Sequence, residues 1–228
     1  MDWEEYKKDW EQFRKIDTEQ KLAHCKEQYS RHLLAIHDAN FFEPSERNNP
    51  KPGITGVYYK NVSSIFGIKI DDPNMALYQV IPSFEPEYLL SIKREPGQYL
   101  LTYTVLVKNY WTLYYQNHEA ASAGKTEICL PISSENGDWL FGLFDRVIQE
   151  ARVPAVGYLV LDGTQYFLSK IVDGVYKEVF KHSPGKDSKT RNVIRFLEGI
   201  IEHIIHGSEE ALDAFIHDGI NEMMVNGI

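Results

Sequence analysis

Two histidines in the C-terminal part of the chain have the spacing that is closest to a metal site. His203 and His206 lie three residues apart, beside Glu202, in a run whose apolar residues recur at helical intervals. A helix would place both imidazoles on one side, as a zinc site with two histidine ligands requires. They flank the apolar stripe, however, and no third ligand stands at a fixed spacing. We interpret them as solvated residues at a helix edge, and we predict that the protein requires no metal or organic cofactor.

A polar loop just before this helix has the composition of an anion site. Residues 181–191 read KHSPGKDSKTR and connect a strand pattern to a helix pattern. Free backbone N–H groups and the helix dipole favour anions at such a position. The stretch is not a P-loop, because Asp187 follows Gly185-Lys186 where Ser or Thr is needed. The alternative is a solvated loop that leads into a capped helix. The candidate anion ligands are Lys186, Ser188, Lys189 and Arg191.

Catalytic motifs with a specific spacing are missing from the sequence. It contains no Gly-x-Ser-x-Gly, His-Glu-x-x-His, Cys-x-x-Cys or Rossmann glycine pattern. An active site assembled from dispersed residues such as Asp162, His182 and Cys129 is one hypothesis, and a small hydrolase would be its form. The turn chemistry of Asp-Gly already accounts for Asp162, and the strand pattern predicts that Cys129 is a buried, unreactive cysteine.

Charge is distributed unevenly along the chain, and this is the strongest functional signal. From Glu198 to Ile228 there are seven carboxylate residues and no Lys or Arg, within a formal net charge of −9 for the whole chain. Such a surface complements a basic protein partner and would act mainly on association rate and selectivity. The alternative is a solubilising surface without a partner. The binding residues we predict are Glu209, Glu210 and Asp213.

Composition limits the classes of protein that remain. With 228 residues and 43% hydrophobic content, the chain can bury a sizeable core. Its acidic balance argues against general nucleic-acid binding, because phosphate contacts dominate that affinity. No run approaches the ~18 apolar residues of a membrane span, and the start, MDWEEYKKDW, differs from a signal peptide. Two lone cysteines fit a reducing compartment, so we predict a cytoplasmic protein.

The element that must organise these residues is a set of hairpins between Val156 and Pro184. Three apolar runs are separated there by Asp162-Gly163 and Asp173-Gly174. Asp-Gly between apolar runs is a strong hairpin signal, because a type I′ turn needs residues that accept positive φ. The sequence therefore predicts a three-stranded antiparallel meander with one face covered by helices.

Earlier parts of the chain supply further strands and a helical arm. Residues 2–37 have helical periodicity, and a Pro- and Asn-rich loop follows over 38–55. We predict an N-terminal helical arm at 1–40 and an α+β main domain at 56–228. The predicted strands are Val57–Tyr59, Met75–Ile81, Glu87–Lys93, Gln98–Val107, Tyr110–Tyr115 and Thr126–Pro131. The predicted helices open at Ser133 or Ser134, at Ser188 and, for a short last helix, at Ser208. This order predicts an α+β fold with an antiparallel sheet and helices packed on it.

The stretch LDGTQYFLSKIVDGVYKEVFKHSP, with the apolar helix after it, resembles uncharacterised bacterial α+β proteins. These have an Asp-Gly-aromatic hairpin, a Ser-Pro loop and an apolar helix in the same order, and the resemblance covers about 75–205. It implies the fold and no activity. We therefore expect a non-catalytic protein-interaction module, such as an immunity-type protein that neutralises a basic toxin, and the hydrolase is the alternative.

Overall fold

The structure, a computed structural model, describes residues 38–45, 54–115, 123–155 and 163–225 and five isolated residues upstream. Its packing divides the chain into two compact units. The first comprises Met1–Asp38 and Pro154–Gly157, and the second comprises Ala39–Val153 and Tyr158–Ile228. Most of the helical segment predicted at 2–37, within the arm at 1–40, lies outside the described residues. The five residues described there are all helical: Ala23, Lys26, Glu27, Ser30 and Leu34.

In the described residues, the second unit is built on one antiparallel sheet of seven strands in the order β1-β7-β6-β2-β3-β4-β5. The predicted α+β fold with an antiparallel sheet is confirmed. The strands are β1 (Glu43–Pro44), β2 (Met75–Pro82), β3 (Tyr88–Glu95), β4 (Gln98–Leu106), β5 (Lys125–Ile132), β6 (Thr164–Val172) and β7 (Val175–His182). The helices are α1 (Ile54–Phe66), α2 (Tyr110–Tyr115), α3 (Ser134–Gln149), α4 (Lys189–His206) and α5 (Glu209–Val225).

Turn chemistry sets the registers of the two hairpins that the sequence marks most clearly. Asp173 and Gly174 both have positive φ, 53° and 74°, between the paired residues Val172 and Val175. This is the type I′ turn that Asp-Gly predicts. Gly97 has a φ of 83° between β3 and β4, as the third residue of a type II turn requires. The first strand predicted for the meander, before Asp162, lies outside the described residues.

Helices α3, α4 and α5 cover one face of the sheet. The side chain of Ser133 caps α3, and that of Ser188 caps α4 by accepting the Arg191 N–H. Both caps were predicted, and both helices present an apolar stripe to alternate residues of the strands. The predicted core residues of α4 are all buried: Val193, Phe196, Leu197, Ile200, Ile201 and Ile204.

Helices α1 and α2 cover part of the opposite face, so the prediction of a sheet with one covered face is wrong. Tyr58, Val62 and Phe66, four residues apart on α1, are buried in a second core together with Leu77 and Phe167 of the sheet. Consequently β2 is buried on both faces: every residue of this strand except Met75 is buried.

Two short segments predicted as strands are helices. Val57–Tyr59 lies within α1, and Tyr110–Tyr115 is α2. Aromatic and β-branched residues dominate both segments, and these residue types favour strands when neighbours are ignored. For α2 the sequence does hold a helix signal, because the Asn109 side chain accepts the Thr112 N–H at 2.8 Å, as a capping residue does.

The loop that starts near residue 38 is fixed to the sheet by Phe42 and Glu43. Phe42 is 4% exposed and belongs to the main core. Glu43 pairs with Lys181 of β7 at 2.9 Å, and both side chains are almost fully buried. This ion pair holds the two-residue strand β1 at the edge of the sheet.

Candidate protein-binding surface

Helices α4 and α5 form an antiparallel hairpin whose exposed charged side chains are mostly acidic. Gly207 ends α4, and its N–H donates to the His203 carbonyl at 2.8 Å. Ser208 then opens α5 by accepting the Ala211 N–H at 3.3 Å. The exposed carboxylates of this hairpin, which we call the acidic face, are Glu202, Glu209, Glu210, Asp218 and Glu222. Two of the predicted binding residues, Glu209 and Glu210, therefore lie in solvent at the start of α5.

A groove of about 390 Å³ lies between the N-terminal half of α4 and the C-terminal half of α5. Its floor is apolar because it is formed by Phe196 and Met223, whose side chains are 8% and 6% exposed. Its rim is polar and exposed, with Asn192 and Arg195 on α4 and Asp218 and Glu222 on α5. We call this feature the groove. It adds a place for an apolar side chain to a surface that is otherwise defined by charge.

The floor of the groove depends on two helical glycines that face phenylalanine rings. A Cβ at Gly219 would lie 2.3 Å from the Phe196 ring, and a Cβ at Gly199 would lie 2.5 Å from the Phe215 ring. The two rings stack on each other with centroids 5.7 Å apart. Each helix thus supplies one ring and one glycine, so the helices approach closely while the rings remain at the groove.

The third predicted binding residue, Asp213, has a structural role at the start of α3. Its Oδ1 accepts hydrogen bonds from the Ser133 N–H and the Ser133 hydroxyl, both at 3.0 Å, and from the Asn136 amide at 2.7 Å. Burial alone would raise the pKa of Asp213, but these hydrogen bonds outweigh burial and lower it. Asp213 therefore fastens α5 to the N-terminus of α3, and it is not part of the acidic face.

The predicted anion site is occupied by contacts within the protein. Ser188 accepts the Arg191 N–H, and the Lys189 N–H donates to the Asn40 side chain at 3.0 Å. These are two of the backbone amides at the start of α4 that an anion would otherwise use. Lys186 and Lys189 are exposed, whereas Ser188 is buried. The geometry is that of a capped helix, which was the alternative reading of this loop.

Glu198 forms a tyrosine–carboxylate cluster that the sequence did not reveal. The Tyr78 hydroxyl donates to its Oε1 at 2.5 Å, and the Tyr88 hydroxyl lies 2.9 Å from both carboxylate oxygens. Tyr103 and Tyr166 pack against these two rings. Burial raises the pKa of Glu198 above the usual glutamate value, although the tyrosine hydrogen bonds oppose the rise. The cluster joins α4 to the centre of the sheet across more than a hundred residues, which local sequence patterns cannot show.

Of the residues proposed for a dispersed active site, Cys129 and His182 are both described, and they lie far apart. Cys129 lies on β5 and His182 on β7, which are separated by five strand spacings, roughly 24 Å at ~4.8 Å per strand. No thiol–imidazole pair can form across that distance. Cys129 is also exposed, so its prediction as a buried cysteine is wrong. Asp162 lies outside the described residues.

The two histidines with metal-like spacing, His203 and His206, do not face a common site. His203 Nδ1 lies 2.8 Å from the Gly199 carbonyl, and the ring stacks on Phe215 with centroids 4.3 Å apart. His206 is exposed at the end of α4. Within the described residues, no three His, Cys, Asp or Glu side chains are grouped in a way that could hold a metal ion.

Among the described helices, none combines the length and the apolar content that a membrane span needs. Comparisons with models of known protein families, with curated proteins and with solved structures found no match in any of the three. The resemblance to bacterial α+β proteins therefore stays a prediction. What the fold and the site define is an α+β protein with an acidic helical hairpin that carries an apolar groove.

Proposed function

We propose that this protein is a non-catalytic binding module that recognises a basic protein through the acidic face of α4 and α5. The observation that carries this proposal is the combination, on one hairpin, of five exposed carboxylates and an apolar groove. Charge accelerates encounter and excludes acidic competitors, whereas a buried apolar contact supplies affinity. A surface that only kept the protein in solution would need the charge but not the groove.

The rigidity of the hairpin supports the same function. Asp213 ties α5 to α3, and Glu198 ties α4 to the sheet, so the two helices do not need to be ordered when a partner arrives. Preorganised surfaces lose less conformational entropy on association. We propose an immunity-type role in the cytoplasm, in which the acidic face covers the cationic substrate cleft of a toxin that degrades nucleic acid.

Selection of peptides from a random dodecapeptide library displayed on phage tests this proposal, with the purified protein as the immobilised target. We expect the enriched peptides to contain an excess of Lys and Arg next to aliphatic or aromatic residues. For a synthetic copy of the strongest peptide, E209K/E210K should slow association about tenfold at low salt, and added salt should reduce this difference.

The matched control is D71K/E85K, which reverses two exposed carboxylates in the loops before and after β2. This variant has the same net charge as E209K/E210K and should leave the association rate within about twofold of the unmodified protein, because screened distant charges contribute little. Enriched peptides without excess positive charge, or equal losses in the two variants, would contradict the proposal.

A further inference from the structure

The rim of the groove has a regular pattern of charge that defines its occupant more closely. Asp218 and Glu222 lie four residues apart on α5, and both are exposed beside the groove. Side chains four apart on a helix stand on one side, one turn from each other, with Cβ atoms roughly 5–6 Å apart. The two carboxylates therefore form a row that runs parallel to the groove.

The floor of the groove supplies the complementary apolar feature. Phe196 and Phe215 present stacked rings there, and Met223 lies about one helical turn from Gly219 along α5. Methionine adapts its shape to different neighbours, and aromatic rings give a large contact area at little entropic cost. A ligand that fits must therefore place apolar side chains along one line and cations along a parallel line.

We infer that the groove binds an amphipathic helix of the basic partner, with Lys or Arg residues four apart lying against Asp218 and Glu222. A helix has this arrangement intrinsically, because its i and i+4 residues share a side and its apolar stripe runs alongside them. An extended strand with alternating cations and apolar groups places the two kinds of side chain on opposite faces, so it could not set both against the same groove. This inference rests on the proposed function and names the class of its ligand.

Two synthetic peptides of identical Leu and Lys composition test the inference. One has Leu at helical spacing with Lys residues four apart, and the other alternates Leu and Lys as a strand does. Fluorescence polarisation at low salt should show the helical peptide binding about tenfold more tightly than its alternating isomer, which corresponds to one factor of ten in Kd.

Two double variants with equal net charge locate the binding on the hairpin. D218K/E222K should weaken binding of the helical peptide about tenfold more than E202K/E209K does, because the second pair lies on the same hairpin but away from the groove and acts only through long-range charge. Circular dichroism of both variants verifies that they fold. Equal binding of the two peptides, or equal losses in the two variants, would overturn the helix-in-groove inference.

The outcomes of this experiment are separate from those of the peptide selection. If both Leu–Lys peptides bind equally and both double variants weaken binding equally, the acidic face still attracts cations and the proposed function stands without the groove. If neither peptide binds and the phage selection yields no basic sequence, both the inference and the proposed function are wrong.

Discussion

Glu198 and Asp213 belong to the same acidic stretch of sequence, but their surroundings move their pKa values in opposite directions. Burial among tyrosines raises the pKa of Glu198, and hydrogen bonds from the start of α3 lower that of Asp213. The folded state therefore favours the protonated form of Glu198 and the ionised form of Asp213. Identical charges on the sequence thus make opposite contributions to the pH dependence of stability.

Glu198→Gln should flatten the pH dependence of the free energy of unfolding. A raised pKa in the folded state means that the contribution of Glu198 is fully present below its unfolded pKa and is lost as pH rises through its folded pKa. Urea unfolding between pH 4.5 and about 7.5 should therefore show the wild type losing stability relative to the variant. Glu202→Gln, one turn along at an exposed position, should flatten the profile much less, because the Glu202 carboxylate is only a minor cause of the raised pKa of Glu198. Parallel profiles for Glu198→Gln would show that the cluster does not perturb this carboxyl.

Asp213→Ala should destabilise the fold by about 1–2 kcal/mol, the usual effect of losing a helix-capping carboxylate. The reason is that the Ser133 N–H and the Asn136 amide lose an acceptor at the start of α3. Because the pKa of Asp213 is lowered, this stabilisation exists above the unfolded pKa and disappears as pH falls. Asp218→Ala, an exposed carboxylate on the same helix, should change stability by less than about 0.5 kcal/mol in the same urea measurement. Equal effects would remove the structural role assigned to Asp213.

At the scale of elements, the hairpin of α4 and α5 depends on reciprocal packing: a glycine of each helix lies against a phenylalanine ring of the other. Glycine in a helix interior normally lowers stability by roughly 0.5–1 kcal/mol relative to alanine. Here it allows the backbone of each helix to approach an aromatic ring of the other. The close approach offsets the conformational penalty, so the sign of a glycine-to-alanine change depends on what the new methyl group would contact.

Gly219→Ala should therefore destabilise the protein by about 1–3 kcal/mol, as overpacking does, because the new Cβ would overlap the Phe196 ring. Gly142→Ala on α3 is the matched control, since its Cβ would meet nothing within 4 Å. That change should stabilise the protein by about 0.5–1 kcal/mol. Thermal unfolding should show a lower melting temperature for Gly219→Ala and a higher one for Gly142→Ala. Stabilisation by Gly219→Ala would show that the rings move aside easily and that the floor of the groove is not fixed.

The sequence predicted those elements whose signals are local. Asp173-Gly174 and Gly97 set their turns, and Ser133 and Ser188 cap their helices, by contacts within a few residues. It failed for α1 and α2, because their aromatic and β-branched residues favour a strand locally and packing on the second face of the sheet stabilises a helix instead. The short last helix that was predicted is 17 residues long, because Leu212, Ile216 and Ile220 continue its apolar stripe.

At the scale of the whole molecule, the predicted concentration of charge corresponds to a real surface, but its members have different roles. Glu209 and Glu210 are exposed as predicted, whereas Asp213 and Glu198 are used to join elements that are distant in sequence. The groove also requires residues from both helices at a fixed separation. The number of charges in a segment can be read from the sequence. Which of them form hydrogen bonds with residues 80 or 120 positions away depends on the complete fold.

The central position of β2 has a consequence for how the chain is made. β2 pairs with β6, and even the closest partners in this pairing, Pro82 and Thr164, are 82 residues apart. At a synthesis rate of roughly 5–20 residues per second, the ribosome takes about 4–16 s to reach β6 after completing β2. During that interval one edge of a nearly fully apolar strand has no native partner. We therefore expect the newly made chain to be most prone to aggregation in this interval, and faster synthesis of residues 83–172 would shorten it.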